Sequence, residues 1–92
     1  MRIISKKKLK DFWFRHPQSE IPLDNWYKVI TGNDYHNLAE LKLTFPKADL
    51  VENLIVFNIS RNKYRLITAI HFNTGVVYVR CVLTHAEYKK GR

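Results

Sequence analysis

Leu54-Ile55-Val56-Phe57-Asn58-Ile59, Tyr64-Arg65-Leu66-Ile67-Thr68-Ala69-Ile70-His71-Phe72 and Val76-Val77-Tyr78-Val79-Arg80-Cys81-Val82-Leu83 are the runs whose reading decides the fold. Each is rich in β-branched and aromatic residues, and Ser60-Arg61-Asn62-Lys63 and Asn73-Thr74-Gly75 separate them with polar turn residues. They read as a three-stranded antiparallel meander over Leu54–Ile59, Tyr64–Phe72 and Val76–Leu83. Successive side chains of a strand alternate between its faces. Tyr64, Leu66, Ile70 and Phe72 therefore point one way, and Lys63, Arg65, Ile67, Ala69 and His71 the other. In the last strand Val77, Val79, Cys81 and Leu83 form the apolar side, leaving Tyr78, Arg80, Val82 and Thr84 opposite, so that Arg65 and Arg80 share one face. A turn over Asn73–Val76 sets Arg65 beside Thr84, and a slip of two residues leaves the faces unchanged.

Upstream, the apolar spacing changes from two to about 3.6. Met1 to Ile4 reads as a short strand. Ser5 then stands at the N-cap position of a helix carrying Leu9, Phe12 and Trp13 on one stripe and ending before Pro17. A second helix begins around Ser19–Pro22, repeats Leu23, Trp26, Tyr27 and Ile30, and stops at Thr31-Gly32-Asn33. Residues 37–44 add a helical turn or two before Phe45-Pro46-Lys47-Ala48-Asp49 breaks the pattern. Helices followed by strands give an α+β fold, an N-terminal helical hairpin packed on a small twisted antiparallel sheet. At 92 residues and 46% hydrophobic content, a single domain over residues 1–92 is expected.

The net charge of +8 is unevenly placed: residues 1–52 hold nine Lys/Arg against seven Asp/Glu, whereas residues 53–92 hold seven against one, Glu87. A basic C-terminal half suits a polyanionic partner, because neutralising phosphates releases counterions. One cysteine, Cys81, excludes an internal disulfide, and neither a metal-ligand spacing nor a cofactor motif is present, so no metal or cofactor is expected. No apolar run approaches the ~20 residues of a membrane span, and Lys6-Lys7-Lys8 falls where a signal peptide needs apolar residues. The expectation is a cytosolic protein without membrane contact.

The predicted pairing brings the start of the middle strand to the end of the last one. Lys63 and Arg65 thereby approach Thr84-His85-Ala86-Glu87-Tyr88-Lys89, so that cations, an imidazole and a phenol converge at one sheet end. Cleaving RNA without a metal needs a base for the 2′-hydroxyl proton, an acid for the leaving 5′-oxygen, and cations for the phosphate. Arg65, His85, Tyr88 and Lys63 are residues of those types. Tyr88 also suits stacking on a base or orienting the phosphate. Arg61 and Lys47 lie in loops at the sheet rim, where a bound strand is gripped, and Arg80, His71 and Lys89 complete the candidate RNA-binding set.

Val56-Phe57-Asn58-Ile59, Asn62-Lys63-Tyr64-Arg65-Leu66-Ile67 and Val82-Leu83-Thr84-His85-Ala86-Glu87-Tyr88, with Ile4-Ser5-Lys6-Lys7-Lys8-Leu9-Lys10 and Pro17 behind it, resemble HigB-type toxins of the RelE/ParE superfamily. The likeness runs through nearly the whole chain. It implies a RelE/ParE-like toxin from a bacterial toxin–antitoxin pair, an mRNA interferase that cuts messages in the ribosomal decoding site. A HigA-like helix-turn-helix antitoxin would neutralise it and would be its only route to operator DNA. By the same likeness Arg65 takes the phosphate-stabilising position, and His85 and Tyr88 fall in the segment supplying the acid or base. His85 stands where better-studied members carry an arginine after the last strand. Two other functions stay open at this point: gyrase inhibition of the ParE type, and a plain RNA-binding module.

Overall fold

The computed structural model describes residues 1–90. In it the three runs become the centre of a five-stranded sheet. The chain runs β1 (Arg2–Ile4), α1 (Lys6–Arg15), a 3-10 turn (Pro17–Ser19), α2 (Glu20–Thr31), α3 (Leu38–Thr44), β2 (Asp49–Val51), β3 (Leu54–Ile59), β4 (Tyr64–His71), β5 (Val76–Thr84) and α4 (His85–Lys90). The sheet order is β1-β5-β4-β3-β2. The α+β class holds, but the sheet is mixed: β1 lies parallel to β5, with Ile3 opposite Val77, and β2 pairs antiparallel with β3. β2 is an addition to the expected meander, because Asp49–Val51 continues from a proline-containing break and pairs only by doubling back at Glu52 and Asn53.

Local chemistry sets the helix ends. Ser5 is extended and precedes α1 as expected, yet its hydroxyl makes no capping bond. His16 closes α1 by donating its N–H to the Phe12 carbonyl at 2.8 Å, and Pro17 prevents continuation. Asn37 caps α3, its Oδ1 accepting from Glu40 N at 2.9 Å. The helices cover one face of the sheet. Leu9 and Phe12 of α1 and Leu23, Trp26 and Ile30 of α2 meet Ile55, Phe57 and Ile59 of β3, Tyr64 and Leu66 of β4 and Val77, Val79 and Val82 of β5. Edge-on ring pairs knit this layer, Trp26 to Phe57 at 5.3 Å and Phe12 to Tyr64 at 5.5 Å, each contributing about 0.5–1.5 kcal/mol beyond area burial. Thr68 sits fully buried among them because its hydroxyl donates to the Ile55 carbonyl at 2.9 Å.

Two expectations about β5 are corrected. Thr68 pairs with Val79 while Ile67 pairs with Cys81, so Arg80 is an extra residue, a β-bulge. One inserted residue inverts the alternation beyond it. Val82, read as outward, is buried in the core, and Cys81, read as inward, is exposed. Leu83 changes sides too, becoming the partner of Arg65 in place of Thr84. The runs end one residue from the expected boundaries, at His71 and Thr84.

Candidate active site

Arg65 belongs to β4, opposite Asn58 on β3 and Leu83 on β5, and therefore points away from the helical layer. Its Nη1 donates to the Asn62 carbonyl at 3.1 Å, which ties the guanidinium to the preceding turn. That turn holds Ser60, Arg61 and Asn62 at φ of 55, 53 and 74°. For residues bearing a Cβ, left-handed backbone costs on the order of 1–2 kcal/mol each, and such strain collects where function fixes a loop.

The other wall comes from α4. Thr84 and Glu87 form a reciprocal capping box: Glu87 Oε1 accepts from Thr84 N at 2.8 Å, and Thr84 Oγ1 accepts from Glu87 N at 3.2 Å. The bond from Thr84 N holds the Glu87 carboxyl below its ordinary pKa. His85 N donates to the Lys63 carbonyl at 2.8 Å, tying the start of α4 to the start of β4. Tyr88, one turn on, lies with its ring centroid 5.2 Å from the Arg65 guanidinium carbon, within cation–π range.

Arg65 and Tyr88 line a cleft of about 340 Å³ together with Lys42, Lys47, Asp49 and Asn58. An adjoining cleft of about 570 Å³ shares Lys47 and Asn58 and adds Arg61 and Asn62. Phe45 positions the intervening wall by packing edge-on against Phe57 at 5.1 Å, with Ala48 N bonded back to the Phe45 carbonyl. Four cations, Lys42, Lys47, Arg61 and Arg65, thus border a connected depression with Asp49 as its carboxylate, and among the described residues none of the four makes an ion pair. Such an arrangement has the chemistry to take phosphate oxygens: a guanidinium offers a preorganised fork and lysines offer charge.

Of the residues singled out in the sequence, Arg65, Tyr88, Lys47 and Arg61 come together around these clefts. Lys63, His85 and Lys89 are exposed at the same sheet end and line neither cleft. His71 and Arg80 lie elsewhere, lining a separate cleft with Tyr78. Sequence reasoning missed Lys42, Asp49 and Asn58. Asn58 was findable: it interrupts an apolar run at the parity of Val56, opposite the core-facing Phe57. Lys42 and Asp49 enter from a helix and an edge strand whose placement no local pattern encodes. Among the described residues no group of three His, Cys, Asp or Glu is placed to hold a metal, and no helix is long and apolar enough to cross a membrane.

Helices on one face of a mixed sheet, with a cationic cleft closed by a short C-terminal helix on the other, define a small α+β protein built to engage a polyanion. Comparison with known proteins makes the class particular. The sequence profile of the HigB toxin, the RelE-like toxic component of a toxin–antitoxin system, matches residues 19–91. The mRNA interferase toxin HigB of Escherichia coli (strain K12) is 32% identical over 91 residues, covering 96% of this chain and 88% of that protein. The mRNA interferase HigB of Shigella flexneri gives the same figures, 32% identity with 96% and 88% coverage. The mRNA interferase HigB of Escherichia coli O6:H1 (strain CFT073) is 29% identical over 93 residues, covering 98% and 90%. The chain belongs to the HigB family of RelE-like toxins.

Proposed function

We propose that this toxin is an mRNA interferase that cuts messages on the ribosome, using the RNA 2′-hydroxyl as nucleophile. The observation that carries the reading is Arg65, anchored near the start of the central strand, braced by the Asn62 carbonyl and flanked by Tyr88 in a cleft that Lys42 and Lys47 also line. In the reaction the 2′-oxygen bonds to phosphorus as the P–O5′ bond breaks. A base takes the 2′ proton, an acid returns one to the 5′-oxygen, and the products are a 2′,3′-cyclic phosphate and a 5′-hydroxyl. Arg65 faces the phosphate oxygens on which charge develops. Tyr88, whose ring lies beside the Arg65 guanidinium in the same cleft, supplies a proton-transfer group or orients the nucleotide, and His85 and Lys63 at the rim serve the flanking strand. Lys47 and Arg61 hold neighbouring phosphates.

The family description implies an antitoxin. Our reading is a HigA-like helix-turn-helix protein, acidic where it touches the cleft, through which alone the toxin reaches operator DNA. Inducing the toxin without the antitoxin should arrest growth, with translation failing before replication and new 5′ ends appearing on a reporter message by primer extension. Collapse of DNA synthesis first, with gyrase-linked breaks and intact messages, would replace this reading by gyrase inhibition. Salt-sensitive RNA binding without cleavage or toxicity would replace it by a binding module.

A further inference from the structure

The cleft that His71 and Arg80 line is not part of the site above. It measures about 380 Å³, within the ~300–1,000 Å³ of small-ligand sites, and lies between the start of α1 and the far end of the sheet. Lys8, His71, Tyr78 and Arg80 line it with Ile4 and Ser5, and among the described residues no carboxylate lines it. Tyr78 is 37% exposed, as is Ile4, so two large apolar side chains stand open beside cations. The His71 and Tyr78 rings meet edge-on at 5.1 Å, and Tyr78 is paired with Ile4 on β1 and with the small Ala69 on β4. Lys8 Nζ donates to the Arg80 carbonyl at 3.3 Å, which draws α1 against the bulge, while the Arg80 guanidinium makes no ion pair among the described residues. A bulge re-aims the side chain it carries, and Arg80 at this one lines both this cleft and a neighbouring one that Lys8 and Asp11 also line.

Ala69 and His71 share the parity of Arg65 along β4, so both clefts open on the same face of the sheet. His71 lies six strand steps from Arg65, about 20 Å at ~3.3 Å per residue, and Arg80 stands between the two levels, beside Ile67 and Thr68. Buried Val56 and Ile67 occupy the face between. Tyr88 with Arg65 at one end of β4, Tyr78 with His71 at the other, and Arg80 at the bulge between them match an extended single strand: bases stack on rings while cations follow the backbone.

We propose that this cleft is a second RNA subsite, binding one unpaired nucleotide with its base against Tyr78 and His71 and its phosphate on Arg80 and Lys8. The proposal rests on the RNA-cleavage reading and deepens it. It is tested by steady-state cleavage on ribosomes programmed with a defined message, comparing Tyr78→Ala, Tyr78→Phe and Arg80→Ala with the parental toxin, each checked for folding by circular dichroism. Tyr78→Ala should raise KM roughly 5- to 100-fold, the range for losing one stacked base, and Arg80→Ala should raise it through the lost phosphate contact, each with kcat within about twofold. Tyr78→Phe, which keeps the ring, should behave as the parent and guards against a folding artefact. Repeating the series on a message trimmed to a few nucleotides either side of the cut locates the strand: a KM effect that disappears assigns the nucleotide to the message, and one that persists assigns it to ribosomal RNA. Unchanged KM in both alanine variants, with parental cleavage intact, overturns the subsite and leaves the cleavage reading standing. Unchanged KM with weakened antitoxin binding also overturns it, making the cleft a protein-docking surface. A parental toxin that cuts no message removes both readings.

Discussion

The guanidinium carbon of Arg65 and the ring of Tyr88 lie 5.2 Å apart although 23 residues separate them, one on a central strand and the other on the closing helix. The ring flanks a cation that also donates to the Asn62 carbonyl, so the guanidinium is held before any phosphate arrives. Removing it by Arg65→Ala should lower kcat about 10²–10³-fold, comparable to deleting one preorganised oxyanion donor. Lys63→Ala should cost less, because Lys63 is exposed in the turn and offers a mobile charge. Single-turnover cleavage of a programmed message checks the order, and equal losses would contradict it.

Tyr88 and His85 are separable by chemistry. Tyr88→Phe retains the ring over Arg65 and loses the hydroxyl, so a large drop in kcat assigns proton transfer to the phenol, and a near-parental rate assigns it a stacking role. His85→Ala should have the smaller effect, since its side chain is exposed outside the cleft while its backbone N–H performs the tie to Lys63. A His85→Ala loss exceeding that of Arg65→Ala would move the acid or base to the imidazole.

The capping box predicts a pH dependence. The Glu87 carboxyl titrates below its ordinary value of 4.5, chiefly because it accepts from Thr84 N. A depressed folded pKa means that the stabilisation is present above the unfolded value and disappears as pH falls through the folded one. The α4 segment should therefore hold firmly at neutral pH and loosen only in acid, below about 4.5. Glu87→Gln should keep part of the cap at all pH values, and Glu87→Ala should loosen α4 even at pH 7. Hydrogen exchange over residues 85–90 reads both, with a matching fall in cleavage because Tyr88 rides on this helix.

Phe57 is 1% exposed and packs edge-on against both Trp26 and Phe45. Phe57→Ala should destabilise the fold by about 3–5 kcal/mol, and Phe57→Leu by less. Since Phe45 fixes the wall that carries Lys47, Phe57→Leu should also raise KM for cleavage at temperatures where the variant remains folded. Denaturant titration and kinetics together test this; a stable variant with unchanged KM would uncouple the wall from the core.

Cleavage through the 2′-hydroxyl leaves a defined chemical trace. The upstream fragment should end in a 2′,3′-cyclic phosphate or the 3′-phosphate derived from it, and a message carrying 2′-deoxy at the cut position should resist. Activity should persist in EDTA once ribosomes are kept intact by other means. Mass spectrometry of the fragments decides; a 3′-hydroxyl end would overturn the mechanism.

The sequence by itself determined the three central strands, the two leading helices and the outward face of Arg65. In each case the information is local: a period of two or 3.6 in the apolar positions, interrupted by turn residues. It also placed Arg65 near the start of the last helix, because a hairpin with a short turn must return its second strand to the start of its first. The tertiary structure alone decided the rest. Val79-Arg80-Cys81-Val82-Leu83 is apolar at both parities around its arginine, so no alternation could reveal that Arg80 bulges and sends Val82 inward. Lys42, Lys47 and Asp49 join Arg65 around one cleft from α3, a loop and an edge strand that follow no shared pattern, placed by the packing of Phe45 on Phe57 and the pairing of β2 with β3. His71 is carried to the far end of β4 by that strand's length, whereas Arg80 stops at the bulge, level with Ile67 and Thr68, and lines a cleft with Lys8 of α1 that Arg65 does not line, since which residues meet across strands and layers is a long-range choice that residue types do not carry.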